Sequence, residues 1–244
     1  MPKNTHFAFK QFSIQQDKSA MKVCTDSCLF GAWVADRMKK INPAVKTGAD
    51  IGTGTGLLSL MLAQELPGLE IEAIEIDRDA VRQAQENFKA SPFTERLRVK
   101  HIDFNRYDHN QDCDLVISNP PFYKNDLLSP DDARNKAHHE ADMDLGEMVS
   151  GISLMLKEGH AFGAILIPYG RTDELLWKIK DSELHSVEKM YVRQTPRHPN
   201  FRTMLLFSNT PVINPAIKQM TIKNETAQYS EDFKELLKEY YLAF

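Results

Sequence analysis

A short motif near the middle of the chain combines the groups needed to hold a planar amine. It follows the apolar run at residues 115–117 and consists of Asn119, Pro120, Pro121 and Phe122. The amide oxygen of Asn119 and the carbonyl of Pro120 can each accept one hydrogen of an exocyclic amine, while an aromatic ring stacks on the planar group. These bonds would favour a pyramidal nitrogen and support the charge that develops as a methyl group arrives. The motif therefore predicts methylation of an exocyclic amine, with Tyr123 as a second stacking ring.

A glycine-rich segment upstream predicts the matching cofactor site. Residues 50–56 read Asp-Ile-Gly-Thr-Gly-Thr-Gly. Glycines between a strand and a helix let the backbone approach a ligand closely and present helix N-terminal amides to it. The spacing differs from the Gly-x-Gly-x-x-Gly of dinucleotide folds, which favours S-adenosylmethionine, a ligand without phosphate, over the alternative of NAD. We expect Asp50 to meet its ammonium group, often through water, and Gly52, Gly54 and Gly56 to contact its amino-acid and ribose portions.

Acidic residues also follow the next two predicted strands. Glu75 is positioned to accept the ribose hydroxyls, with Asp77 as the alternative unless it caps the following helix. Asp103 offers a carboxylate for the adenine amino group, and Phe104 offers a ring to pack on the adenine. Because the carboxyl ends of parallel strands meet at one edge of a sheet, acids at successive strand ends indicate ligand contacts.

The hydrophobic pattern predicts the elements that position these residues. From residue 45 onward short apolar runs alternate with helical periodicity, which is typical of βαβ units in an α/β, Rossmann-like, doubly wound sheet with helices on both faces. We expect one domain over 1–244, in which 1–44 form a short N-terminal cover and 45–244 the core. The predicted strands lie at 45–51, 69–76, 97–102, 114–118, 161–167, 187–192 and 203–207.

Composition limits the partners and the compartment. The chain has 244 residues, a net charge of −4, and three cysteines without metal-site spacing, so we expect no metal. It contains no apolar run long enough to span a membrane and no apolar leader, which predicts a cytoplasmic protein without membrane contact. A strongly nucleic-acid-coating protein would be more basic, but a local basic face suffices for a folded RNA. Arg193, Arg197 and Arg202 lie in an acid-free window that forms such a face, or else a solvated loop between two strands.

With these residues in view, the chain resembles class I S-adenosylmethionine-dependent methyltransferases. More specifically, it resembles the bacterial tRNA adenine-N6 methyltransferases that modify adenine 37, beside the anticodon, of a valine tRNA. The resemblance covers nearly the full length, including the segment Met-Lys-Val-Cys-Thr-Asp-Ser-Cys at 21–28 and the helix at 229–244. It implies a seven-stranded sheet whose last strand is antiparallel, a tRNA substrate, and a place for Thr25 and Asp26 near the cofactor.

Other functions share part of this pattern. Glutamine-N5 methylation of proteins uses the same amine-binding signature, usually with a longer helical N-terminal domain, and ribosomal RNA methylation stays open as well. DNA adenine methyltransferases generally carry a sizeable target-recognition domain for which no stretch of this chain is free, so we expect no DNA partner. No obligate protein partner is evident. A catalytically silent protein that only binds S-adenosylmethionine or RNA is disfavoured, because Asp50, Glu75 and Asn119 are all intact.

Overall fold

The computed structural model describes residues 5–18, 22–109, 113–121 and 144–244. Within them the strands form a two-stranded hairpin and an eight-stranded sheet with the order β10-β8-β9-β7-β6-β3-β4-β5. The strands are β1 His6–Ala8, β2 Ser13–Gln15, β3 Thr47–Ile51, β4 Glu70–Glu75, β5 Leu97–His101, β6 Leu115–Ser118, β7 Phe162–Pro168, β8 His185–Arg193, β9 Asn200–Ser208 and β10 Ala216–Thr221.

The sheet confirms the α/β prediction and corrects the number of strands. Strands β3 to β7 run parallel, and β9 is antiparallel to its neighbours β7 and β8. The predicted count of seven is wrong for the described residues, because β10 adds an eighth strand parallel to β8 at the edge. Only Met220 of this edge strand is buried, so the strand needs no alternating apolar pattern. Its sequence, Ala-Ile-Lys-Gln-Met-Thr, therefore gave no strand signal.

Helices cover both faces of the sheet and bury two apolar clusters. One cluster joins α1, α2, α3 and α6, and includes Trp33, Met61 and Phe88; the other joins α4 and α5, and includes Met148 and Ile179. Every residue of α2 from 57 to 63 is buried, as its uniformly apolar sequence predicted. The helices are α1 Thr25–Ile41, α2 Leu57–Glu65, α3 Arg78–Ala90, α4 Leu145–Met155, α5 Thr172–Asp181 and α6 Glu231–Leu237.

The N-terminal hairpin is held between α3 and the C-terminal segment. Its Gln15 backbone exchanges hydrogen bonds with the Asn87 side chain of α3, at 2.8 and 2.9 Å. On the other side Phe9 forms a β-bridge with Tyr241, and the amide of Lys10 donates to the Tyr240 carbonyl at 2.8 Å. The hydroxyl of Tyr240 in turn donates to the carbonyl of Met61 in α2 at 3.0 Å. The N-terminal cover and the C-terminal segment are therefore packed against each other, a contact that the sequence did not predict.

The carboxyl ends of the strands form one edge at which the predicted site residues emerge. Ile51 pairs with Ser118 on one side and with Ile74 on the other, and Glu75 pairs with His101. The glycine loop, the Asn-Pro-Pro motif and the residues after β4 and β5 therefore leave the sheet at one level. No helix in the described part of the chain is long and apolar enough to cross a membrane.

Candidate active site

The glycine loop has a backbone that leaves open space on its outer side. Gly52, Gly54 and Gly56 have φ values of 69, 58 and 83°, in the left-handed region that favours glycine. A Cβ on Gly52 or Gly54 would meet no atom within 4 Å, whereas a Cβ on Gly56 would lie 2.4 Å from the Phe88 ring. Gly52 and Gly54 thus line a cradle, while Gly56 allows the loop to pack against α3.

Asp50 lies beneath this loop. It is fully buried, and its Oδ2 accepts hydrogen bonds from the Thr53 hydroxyl at 2.6 Å and from the Ser59 hydroxyl at 2.7 Å. Its Oδ1 is buried and accepts no hydrogen bond from any residue the structure describes. Burial raises the pKa of Asp50 to about 6, against the hydrogen bonds from Thr53 and Ser59. One carboxylate oxygen therefore holds the loop, and the other is the candidate contact for a cation.

Glu75 joins the end of β4 to the glycine loop. Its Oε2 accepts from the Gly54 amide at 2.8 Å, and its Oε1 accepts from the amides of Ile76 and Asp77 at 2.9 Å each. Asp77 caps α3 by accepting from the Ala80 amide at 2.7 Å, which is the helix-cap role considered for it. Ile76 is 54% exposed between these two acids. No signal in the sequence marks this side chain as exposed, because an isoleucine at a strand end normally indicates core.

The residues after β5 occupy different environments. Asp103 is half-buried, and its Oδ1 accepts from the Asn105 amide at 3.0 Å. Phe104 is 3% exposed and lies edge-on to His109, with ring centroids 4.7 Å apart. A Cβ on Gly151 of α4 would lie 2.7 Å from the Phe104 ring. Asp103 therefore stays at the edge of the sheet, whereas the ring predicted to pack on adenine lies in the core below α4.

Asn119 directly follows β6, next to the start of the glycine loop. Its Nδ2 donates a hydrogen bond to Ser27 Oγ at 2.8 Å, and its Oδ1 accepts none from the described residues. Asn119 is half-buried, Pro120 buried and Pro121 exposed, while Phe122 and Tyr123 fall outside the described residues. The acceptor oxygen required to hold an amine is thus the side of the amide that the described protein leaves free.

A small cavity brings the two sequence motifs together. It has a volume of about 50 Å³ and lies between the glycine loop, Asn119 and the N-terminal cover. The cover contributes residues that the sequence analysis did not select, because they are distant in sequence from either motif. The lining residues are Lys22, Val23, Ser27, Gly52, Thr53, Gly54, Thr55, Leu57, Leu58 and Asn119.

The predicted cover and basic-window residues meet across the sheet edge. Asp26 accepts a hydrogen bond from Arg202 Nε at 2.7 Å, and the neighbouring Thr25 is half-buried at the start of α1. Arg193 donates to the Thr221 hydroxyl at 2.8 Å and so joins β8 to β10. Arg197 is exposed in the turn between β8 and β9. This turn lies at the same edge as Asn119, and β9 lies two strands from β6, about 10 Å away.

A larger cavity lies away from these motifs. It has a volume of about 620 Å³ and is lined by residues of α1, α6, β8 and β10. The buried Glu188 at its base is already bonded to Trp33 Nε1 at 3.2 Å and to Lys218 Nζ at 3.1 Å. Across the described ranges no group of three or more His, Cys, Asp or Glu side chains could hold a metal ion. The small cavity at the strand ends is therefore the candidate active site.

Comparison with known proteins identifies the family. The profile of the family described as Methyltransferase small domain matches residues 29–145. A curated relative from Dyadobacter fermentans, named tRNA1(Val) (adenine(37)-N6)-methyltransferase, is 37% identical over 251 residues, and the match covers 100% of both chains. The chain belongs to the tRNA1(Val) (adenine(37)-N6)-methyltransferase family.

The fold of this tRNA1(Val) methyltransferase family member agrees with more distant solved structures. A predicted O-methyltransferase from Agrobacterium tumefaciens has a TM-score of 0.66 at 14% identity, covering 87% of this chain and 95% of that one. A putative class I S-adenosylmethionine-dependent methyltransferase from Listeria monocytogenes has a TM-score of 0.60 at 16% identity, covering 84% of this chain and 67% of that one. The sequence-based predictions of a methyltransferase and of its fold are confirmed.

Proposed function

We propose that this chain transfers a methyl group from S-adenosylmethionine to the N6 amine of adenine 37 in a valine tRNA. The relative that it matches from end to end carries this activity in its name. The observation that carries the proposal is the small cavity that the glycine loop and Asn119 line together. The proposed tRNA substrate supports a cytoplasmic location.

The residues of the glycine loop fit the cofactor. Gly52 and Gly54 have open space where a side chain would otherwise stand, and the orphaned oxygen of buried Asp50 suits an ammonium group. Glu75 accepts from the amides of Gly54, Ile76 and Asp77, and keeps acceptor capacity for one ribose hydroxyl, since a carboxylate offers about four acceptor sites. Asp103 is the candidate partner of the adenine amino group. When bound, the cofactor supplies an electrophilic methyl group on a sulfonium.

Asn119 supplies the acceptor that activates the amine. Its free Oδ1 accepts one hydrogen of N6, and the Pro120 carbonyl accepts the other, so the nitrogen lone pair is directed away from the ring. Two prolines fix this backbone, so little reorganisation is needed during the reaction. The nitrogen would gain the methyl group as the methyl–sulfur bond breaks and a neutral thioether leaves. It would afterwards lose one proton to water, so that no base is required before attack. The adenine must first be turned out of its stack, and Phe122 and Tyr123 stay proposals as its stacking partners.

The tRNA contacts that we propose are centred on the β8–β9 turn. Arg197 is exposed there and forms no ion pair with any residue that the structure describes, so it is the best placed arginine for a phosphate. Arg193 donates to Thr221, and Arg202 donates to Asp26. We therefore assign these two arginines a structural role on this face as well as a role in binding RNA. Thr25 and Asp26 then support the cofactor cavity through the start of α1.

The decisive experiment supplies labelled S-adenosylmethionine and total tRNA from a strain that lacks the gene, followed by digestion to nucleosides. We expect label in N6-methyladenosine, mapped to adenine 37 of one valine tRNA, and a strongly reduced rate of labelling with the Asn119→Ala variant. Label in ribosomal RNA or in protein glutamine would retain the chemistry and overturn the substrate. Tight RNA binding without any transfer would overturn the enzymatic proposal itself.

A further inference from the structure

The first turn of α1 holds the amide of Asn119 from a distant part of the sequence. Ser27 is 6% exposed, and its Oγ accepts from Asn119 Nδ2 at 2.8 Å. The same Oγ lies 2.9 Å from Cys24 Sγ, so its own hydroxyl hydrogen can be donated to the sulfur. When its hydroxyl hydrogen is donated to Cys24, Ser27 presents a lone pair to Asn119 and so favours the amide orientation that places Nδ2 on this side.

This orientation matters because an amide has two different ends. The terminal torsion of asparagine is broad and roughly two-fold, so the side chain alone does not determine which end faces the cavity. With Nδ2 held by Ser27, Oδ1 faces the position of the substrate amine. In the opposite orientation two N–H donors would meet the N–H groups of the amine, and no hydrogen bond would form.

A second contact fixes Ser27 itself. Asp26 accepts from the Ser27 backbone amide at 3.1 Å through Oδ1, and from Arg202 Nε at 2.7 Å through Oδ2. Arg202 lies on β9, where it pairs in register with Pro168 at the carboxyl end of β7. The Asp26 side chain therefore connects the start of α1 to the central sheet, which limits how far Ser27 can move relative to Asn119.

We propose that Ser27 is a positioning residue that sets the orientation of the Asn119 amide for methyl transfer. This inference rests on the amine-holding role proposed for Asn119. Although Ser27 lines the cavity, its proposed effect on the reaction is exerted through the Asn119 amide, to which its hydroxyl is bonded. Its removal should therefore slow the chemical step and leave the affinities for cofactor and tRNA in place.

The test compares full-length variants by steady-state and single-turnover methylation of unmodified tRNA. We expect Ser27→Ala to lower kcat about tenfold, as loss of one orienting hydrogen bond implies, with KM for tRNA unchanged. Ser27→Thr retains the hydroxyl and should restore most of the rate. Ser91→Ala is a matched control, because Ser91 is 7% exposed, its hydroxyl donates to the Phe88 carbonyl at 2.8 Å, and it does not line the cavity. It should change stability without changing kcat.

A double-mutant cycle separates positioning from an independent structural effect. In the Asn119→Ala background, Ser27→Ala should cause no further loss, because both changes remove the same amide function. A further loss of the same size would overturn the proposal, as would a wild-type kcat for Ser27→Ala while Asn119→Ala is inactive. Wild-type activity of Asn119→Ala would instead overturn the amine-holding role on which the inference rests.

Discussion

Replacement of Asp50 by asparagine should stabilise the protein by an amount that depends on pH. Burial raises the pKa of Asp50 from 3.8 to about 6. Folding therefore favours the protonated form of Asp50. The protonated carboxyl contributes stability that is fully present below pH 3.8 and is lost as the pH rises through about 6. Integrating this difference gives a cost of about 1 kcal/mol at pH 4.5 and about 3 kcal/mol at pH 7.5 for the ionised wild type. Asparagine does not titrate and carries no such cost.

The quantity to measure is the change in the stability difference with pH. Urea unfolding without cofactor at pH 4.5, 5.5, 6.5 and 7.5 gives the free energy of unfolding of each protein. We expect Asp50→Asn minus wild type to rise by about 2 kcal/mol across this range. Any constant cost of burying the new amide group cancels in this comparison. A difference that stays flat would refute the reasoning, because it would mean that Asp50 does not titrate abnormally in the folded protein.

Asp114 provides a control of opposite sign. Although burial opposes it, hydrogen bonds from Lys157 and from the Lys46 and Thr47 amides lower the pKa of Asp114. Its stabilising effect is present above the unfolded pKa near 3.8 and is lost only as the pH falls below it. Asp114→Asn should therefore be less stable than wild type by a nearly constant amount from pH 7.5 to 4.5. Asp50→Asn should also bind S-adenosylmethionine more weakly at pH 7.5 by calorimetry, despite its greater stability.

Three further substitutions test the site and the RNA face. Gly54→Val should abolish cofactor binding measured by calorimetry. Gly159→Val, at a glycine with φ of 93° and equally open space, is the control and should lower stability but retain cofactor affinity. Equal cofactor affinities of the two variants would contradict the role of Gly54 in the cradle. Asn119→Ala should lower the single-turnover methylation rate about 100-fold or more while cofactor affinity persists, and a retained rate would remove the amine-holding role. Arg197→Ala should weaken tRNA binding and reduce the slope of log affinity against log salt by about 0.7 to 1, whereas Arg82→Ala on α3 should not; an unchanged slope for Arg197→Ala would mean that it contacts no phosphate.

Motif spacing and periodicity predicted the elements and the loops because both depend on nearby residues. Each predicted strand from 45 to 207 has a counterpart within two or three residues in the structure, since apolar runs are required wherever a strand is buried. The edge strand β10 escaped prediction because solvent covers most of it. The prediction for Phe104 was wrong in the opposite way. Its ring was expected at the ligand, but it is buried in the core beside Gly151.

The contacts that complete the site join residues far apart in the chain. Ser27 and Asn119 are separated by 92 positions, and Asp26 and Arg202 by 176. Neither pair has a spacing that a local pattern can reveal, because their contact follows from the crossing of α1 over the sheet. The sequence predicted Asn119 as a site residue from its own motif, yet only the three-dimensional arrangement shows which end of its amide is bonded to Ser27.

The contacts between the N-terminal hairpin and the C-terminal segment have a consequence for folding during synthesis. Lys22 and Val23 line the cavity, and the hairpin that precedes them is bonded to Tyr240 and Tyr241. On the ribosome the glycine loop emerges on the order of ten seconds or more before those tyrosines, at ordinary elongation rates. A nascent chain can thus contain both motifs and most of the sheet before the hairpin next to the cavity is bonded to the C-terminal segment. We expect competence for methyl transfer only after residues 240 and 241 have emerged and bonded to the hairpin.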